Sequence, residues 1–452
     1  MTHVVIVGAG PVGLTMANLL ARRGVWVTVL EGKAKRYPLP RAIHFDGETM
    51  RVFQAAGVAE AILPHTHPGV GMLFKNGAGE VLVDWSRDSG IGPMGWRESY
   101  RFFQPGLEAA LETALRPYRH ASIRRGVPVV EVQQGRAVLA DGDVVEADFI
   151  VGCEGVSSIT RRAIGGDILD LGFQERWLVV DVRLRCPRPD LGDHSIQYCD
   201  ANAPATYVRG AGVWRRWEMR LATGEPDAVP AEDVWRRLSR WITPADAVLE
   251  RAAVYTFRSA LASRWRKGRL FIAGDAAHQM PPFMGQGMCA GIRDVANLAW
   301  KIAAATGADA PLLDTYETER APHVRAFIEM TMQLGRLINQ TATGEAPSGR
   351  MSTIQPVLGH GLGQRDGVAG YPAPQVRCAG LSDDLARGRF HVLTREACDV
   401  PLPRFVGAHE WLEAAGLFGV MVRPDGYVFA GAATPEALQA LCTQVPPVPE
   451  FV

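Results

Sequence analysis

The stretch from Val4 to Gly13 constrains this chain more than any other. Val4-Val5-Ile6-Val7 is a continuous apolar run, as a strand buried on both faces requires. Gly8-Ala9-Gly10-Pro11-Val12-Gly13 follows at once, and Leu14, Ala17 and Leu20 then mark one face of a helix. Val25 to Leu30 is a second strand, ending in Glu31, 18 residues past Gly13. Strand, glycine turn, helix, strand and acid in this order form the dinucleotide-binding pattern. Gly8 makes the turn, Gly10 lets backbone N–H groups reach a pyrophosphate, and Gly13 lets the helix pack on the sheet. Glu31 is placed to accept hydrogen bonds from an adenosine ribose. The pattern specifies a dinucleotide but does not separate NAD from FAD.

A second stretch, Arg269 to Lys301, narrows the choice. Leu270-Phe271-Ile272-Ala273 reads as a buried strand, and Met288, Ile292, Val295, Leu298 and Ile302 fall at the helical period. Between them lie Gly274-Asp275 and the turn Pro281-Pro282-Phe283-Met284-Gly285-Gln286-Gly287. Asp275, at a strand's carboxyl end, can accept hydrogen bonds from ligand hydroxyls. Gly285 and Gly287 leave room for a flat ligand against the backbone. The helix starting near Met288 turns free N–H groups and a positive dipole end toward that ligand. A planar group that becomes negative, such as a reduced flavin, suits this arrangement.

Composition removes other classes. Lys plus Arg and Asp plus Glu each number 48, so no charge excess favours nucleic acid or anionic lipid. The 7 cysteines are scattered without a C-x-x-C or metal-ligand spacing, which fits a reducing compartment and no metal. No uninterrupted apolar run is long enough to span a bilayer, and no signal peptide precedes Val4, so a soluble cytoplasmic protein is expected. A homodimer is left open.

Taken together, the two glycine-bearing stretches resemble the single-component FAD-dependent aromatic hydroxylases, the para-hydroxybenzoate hydroxylase superfamily. Glu175 to Asp181, Arg215 to Glu218 and Gly95-Trp96 bring the resemblance toward the 3-(3-hydroxyphenyl)propionate hydroxylase subgroup. It implies that Asp275 holds a ribityl hydroxyl and that Gly285 to Cys289, Met288 included, lies along the isoalloxazine. Pro40-Arg41-Ala42-Ile43-His44 is similar to the family's arginine loop, and Gln104 to a glutamine that bonds the flavin chain. Cys153-Glu154-Gly155 stands where the family carries Asp-Gly, so Glu154 and Gly155 are expected cofactor residues. Glu154 departs from the usual Asp, and Cys289 from the usual Asn.

The resemblance also implies a reaction. NADH or NADPH reduces FAD, which forms a C4a-hydroperoxide with O2 and passes one oxygen to a phenolic ring. Pro282 and Phe283, with their neighbours, offer a wall that keeps water out. His278 is a candidate base for the phenol, although a brace for its turn is the favoured reading; His44 is a second candidate. A small aromatic substrate is implied, with a larger polyketide or antibiotic aromatic as alternative. An NAD-dependent dehydrogenase would leave Gln104 and Gly274 to Gly291 unexplained, and a flavin binder without turnover is the third reading.

The fold expected is α/β. A Rossmann-like FAD-binding domain (1–170 and 266–340) carries a small hairpin near 70–100, turned by Asn76-Gly77. A mostly antiparallel sheet (171–265) is inserted for substrate. Tyr198, Tyr207, Trp217, Met219 and Arg220 are the expected pocket residues, on the mostly apolar face of alternating strands. A Gly- and Pro-rich linker (341–377) precedes a short C-terminal region (378–452) that resembles the subgroup's thioredoxin-like tail, without its cysteine pair.

Overall fold

In the computed structural model, residues 1–88, 90–200, 203–342, 349–350, 355–363 and 367–452 are described. The expected linker lies partly outside them. Val4, Val5 and Ile6 are fully buried within the strand His3–Val7, which pairs in parallel with Trp26–Glu31 and Phe149–Gly152. A six-stranded sheet grows from this centre, in the order Arg266–Lys267, Leu270–Ile272, Phe149–Gly152, His3–Val7, Trp26–Glu31, Ala121–Arg125. All neighbours are parallel except the short edge strand Arg266–Lys267. Pro11 opens the helix Pro11–Ala21, where its fixed φ costs nothing. That helix packs on Gly287–Ala304. A Cβ on Gly291 would meet Val12 Cγ2 at 2.7 Å and Gly274 Cα at 2.8 Å, so the two glycine-bearing stretches touch.

The second layer is a nine-stranded sheet built around two long antiparallel strands, Ile168–Leu184 and Ala247–Ala262. Trp214–Arg220, Ala205–Arg209 and Ser195–Cys199 extend it. The hairpin Gly71–Asn76 and Val81–Ser86 does not stand apart as an insertion. It pairs in parallel with Ser195–Cys199, Phe74 opposite Gln197, and completes the same sheet.

The two faces of this sheet correct the expected substrate pocket. Tyr207, Trp217 and Met219 share one face with Leu178, Val180 and Val182, and helix Ala231–Leu238 covers them with Val234 and Leu238. Tyr198 packs at the rim of that core, its ring 5.1 Å from Trp241. The amphipathic helix takes the apolar face, because burying it there removes several large side chains from water. Arg220 has the opposite parity but does not line the cavity. The face left for the cavity carries Thr206, Val208, Arg216 and Glu218.

The C-terminal region forms a four-stranded sheet in the order Arg404–Val406, His391–Thr394, Gly419–Val422, Val428–Ala432. The first pair is parallel and the others antiparallel. Buried ion pairs fasten it to the rest: Arg423 to Glu319 at 2.7 Å, a carboxylate that Lys301 also holds at 2.6 Å from the neighbouring helix, and Arg51 to Asp383 at 2.5 Å.

Candidate active site

A cavity of about 850 Å³ runs between the two sheets. Gly8 to Val12, Glu31, Arg41, Gln104, Cys153 to Val156 and Asp275 line one part of it. Pro281 to Gly285, Gly287 and Met288 line the junction with the nine-stranded sheet. Thus both glycine turns face one space, as the sequence requires of a single ligand.

Close packing shapes the first turn. Gly8 has φ +105°, and a Cβ there would sit 2.6 Å from the Cys153 carbonyl oxygen. Gly13 lies behind the cavity, where a Cβ would come within 2.0 Å of the Gly8 carbonyl oxygen. Gly10 opens onto free space. Helices Pro11–Ala21 and Gly287–Ala304 both start without a side-chain cap, so their first N–H groups remain for an anion. Glu31 accepts hydrogen bonds from Ala9 N and Lys33 N, each at 2.9 Å, which fixes its carboxylate at the cavity wall.

Asp275 lines this space, and desolvation there pushes its carboxyl above the usual range. Gln104 Oε1 accepts from Arg41 N at 3.0 Å and Ala42 N at 2.7 Å, while its Nε2 donates to Glu108. Gln104 therefore pins the arginine loop. From the other sheet, Arg216 and Arg251 flank the buried Asp181 and donate to the carbonyls of Pro40 and Arg41, each at 2.7 Å. Sequence reading missed this clamp, although Arg216 and Glu218 stood in the alternation. Arg41 itself is exposed to the cavity, its guanidinium 5.6 Å from the Tyr37 ring.

Glu154 Oε1 accepts from Thr160 N at 2.8 Å and so holds the start of helix Ile159–Ile164; its Oε2 is buried without a partner. Gly155, at φ +83°, lines the cavity beside it.

The second turn is held by side chains. Gly285 adopts the left-handed conformation at φ +63°, with His44 against it. Arg293 donates to Gln286 Oε1 at 3.0 Å and to Asp46 Oδ2 at 2.5 Å, and its Nε lies 2.7 Å from Glu48. Tyr427, from the C-terminal region, donates to Glu48 at 2.5 Å. Burial opposes ionisation of Asp46, but Arg293, the Thr49 N–H and His44 together outweigh it and hold that carboxyl well below its usual range. Phe283 is fixed edge-on between Phe173 and Trp177, with ring centroids 5.8 and 5.6 Å away.

His278 does not reach the cavity. Its Nε2 lies 2.7 Å from Asp294, which also accepts from Gly274 N and Arg320. It braces the Gly274-Asp275 turn, and is corrected here as a catalytic candidate. His44 does line the cavity, its Nε2 3.0 Å from Ser99 Oγ, and burial lowers its pKa toward the neutral imidazole. Tyr255 and Phe257 also line it, with rings nearly parallel and 6.1 Å apart. Their i, i+2 spacing in one strand was the available signal.

The cradle of Gly8, Gly10 and Gly13, the acid at Glu31 and the uncapped helix starts fit FAD. Comparison with known proteins agrees. The family model described as FAD binding domain matches residues 1–331. A probable NADH-specific resorcinol 4-hydroxylase of Rhodococcus jostii (strain RHA1) is 36% identical over 99% of this chain and 96% of its own length. A 3-(3-hydroxy-phenyl)propionate/3-hydroxycinnamic acid hydroxylase of Mycobacterium sp. (strain JLS) is 39% identical over 75% of this chain but only 61% of its own. Among solved structures, aklavinone-11 hydroxylase with FAD and aklavinone shares the fold at TM-score 0.80 and 23% identity, covering 98% of both chains. The chain belongs to the FAD-dependent aromatic hydroxylases, with FAD as cofactor and NAD(P)H as reductant. Among the described residues no helix is long and apolar enough to cross a membrane.

Proposed function

We propose that this protein hydroxylates a phenol, using NADH and O2. One observation carries the reading: the turns bearing Gly10 and Gly285 open on one cavity that continues under the polar face of the second sheet. The full-length relative named as NADH-specific supports the nucleotide choice and a resorcinol-like ring.

Gly8 to Gly13 and Glu31 would hold the adenosine diphosphate portion, Asp275 the ribityl chain, and the backbone of Gly285 to Met288 the ring system. Bound there, FAD supplies electron transfer from the nicotinamide and activation of dioxygen. Pro281 and Pro282 present no N–H donor, and Phe283 is locked by two rings, so this wall excludes water. The start of helix Gly287–Ala304 favours negative charge beside it. His44, neutral and tied to Ser99, is the group we assign to accept the phenol proton. Arg41, on a loop gripped by Gln104 and by the arginines of the second sheet, lies where the flavin or nicotinamide must pass.

We divide the chain as an FAD-binding domain (1–170 and 266–340), a substrate sheet (171–265) that the 71–86 hairpin joins, a linker (341–377) and a C-terminal region (378–452). The 2-1-3-4 strand order of the last region supports a thioredoxin-like relation. All seven cysteines are free, which supports a cytoplasmic location.

Purified protein should be yellow and should oxidise NADH faster when resorcinol or 3-(3-hydroxyphenyl)propionate is added, with one hydroxylated product per NADH. A colourless preparation would return the dehydrogenase reading. Flavin without product would leave an inert binder.

A further inference from the structure

Arg87, Arg101 and Arg209 are among the guanidinium groups that line the cavity, and they come from three different elements. Arg87 follows strand Val81–Ser86, Arg101 lies in Ser99–Phe102, and Arg209 ends Ala205–Arg209. Arg101 is the most enclosed, its side chain 8% exposed. Its Nη2 donates to the Asp193 carbonyl, and its Nη1 lies 3.9 Å from the Asp193 carboxylate. Arg209 shares that carboxylate at 3.4 Å and donates to the carbonyls of Gly210 and Gly212.

Asp193 is a poor counterion, because its side chain is 71% exposed and water screens it. Arg87 lies over the Trp85 ring at 4.6 Å. Burial, then Arg209, lowers Arg101 to about 10, as expected of cations gathered without enough negative charge. The Ser99 and Ser195 side chains line the same region. Guanidinium forks match carboxylates in shape as well as charge.

We propose that this end of the cavity binds an anionic substituent of the substrate, a carboxylate on the phenol or its short side chain, with Arg101 and Arg209 as its partners. The substrate class is then an anionic phenol rather than a neutral one. This rests on the hydroxylase reading above, but not on turnover. The pyrophosphate-binding turn of Gly8 to Gly13 and Glu31 belongs to the other sheet, so FAD does not account for these arginines.

The test uses FAD-loaded enzyme, titrated without NADH and followed by flavin absorbance, with 3-(3-hydroxyphenyl)propionate, its primary amide and resorcinol. Wild-type enzyme should bind the acid about tenfold more tightly than the amide, the scale of a hydrogen bond to a charged group. Arg101→Met and the less buried Arg209→Met should erase that preference and change the amide and resorcinol less than about twofold. Equal binding of acid and amide by wild type overturns the proposal without any variant. So does equal weakening of all three ligands, or a raised KM for NADH with resorcinol as substrate, which would give the arginines to the nucleotide pyrophosphate. Absence of hydroxylated product would refute the activity instead, and the titration would still decide the anion site.

Discussion

The two glycine turns that face the cavity do the same job by different means. Around Gly8 and Gly13 the constraint is steric and local. Backbone atoms of Gly8 and Cys153 stand where any side chain would go. Around Gly285, itself in the left-handed conformation, Arg293, Gln286, Asp46, Glu48 and Tyr427 hold the turn through a chain of hydrogen bonds and ion pairs. The first turn leaves no room for a side chain at Gly8 or Gly13, whereas the second depends on charge and on regions as distant as residue 427. One is set by contact distance, the other by ionisation.

Arg293→Met tests the second turn hardest. It strands Asp46 and Glu48 beside an apolar chain and should cost about 3–5 kcal/mol, read by chemical unfolding, with loss of FAD. Stability within about 1 kcal/mol of wild type would show that the ion pairs do not hold this turn. Gly13→Ala should cost about 1–3 kcal/mol through overpacking and lower the flavin content of purified protein, with no change in acid sensitivity.

The pH dependence should separate the turns. Asp46 has a depressed native pKa, so its contribution is full above the unfolded value of about 3.9 and is lost as pH falls through the lower native one. Acid unfolding below about pH 4, followed by tryptophan fluorescence, should therefore be steep in wild type and Gly13→Ala and shallow in Arg293→Met. Tyr427→Phe should have the smallest effect, about 1 kcal/mol, with FAD retained and a small shift in the flavin spectrum. An unchanged spectrum would detach the C-terminal region from the second turn.

Much of this was readable in the chain. The strand, glycine turn and helix at Val4 to Leu20, and their counterpart at Leu270 to Ile302, rest on neighbours within a few residues, so local pattern suffices. Gln104 was legible only through family resemblance, and its partners, the Arg41 and Ala42 amides, are far away in sequence. The substrate residues were misassigned for a specific reason. Alternation in Trp214–Arg220 divides the strand into two faces but does not say which one a ligand meets, and helix Ala231–Leu238 claimed the apolar one. His278 was drawn inward by Asp294 on the following helix, a pairing that spacing alone does not show.

The residues themselves determined that this chain makes a dinucleotide cradle, because glycine's lack of a Cβ is a property of the residue and not of its surroundings. Tertiary structure alone decided which strands share a sheet, which face water leaves, and which charges meet. Those depend on distances between parts of the chain that the order of residues does not state, and burial then decides whether a carboxylate such as Asp46 keeps its charge.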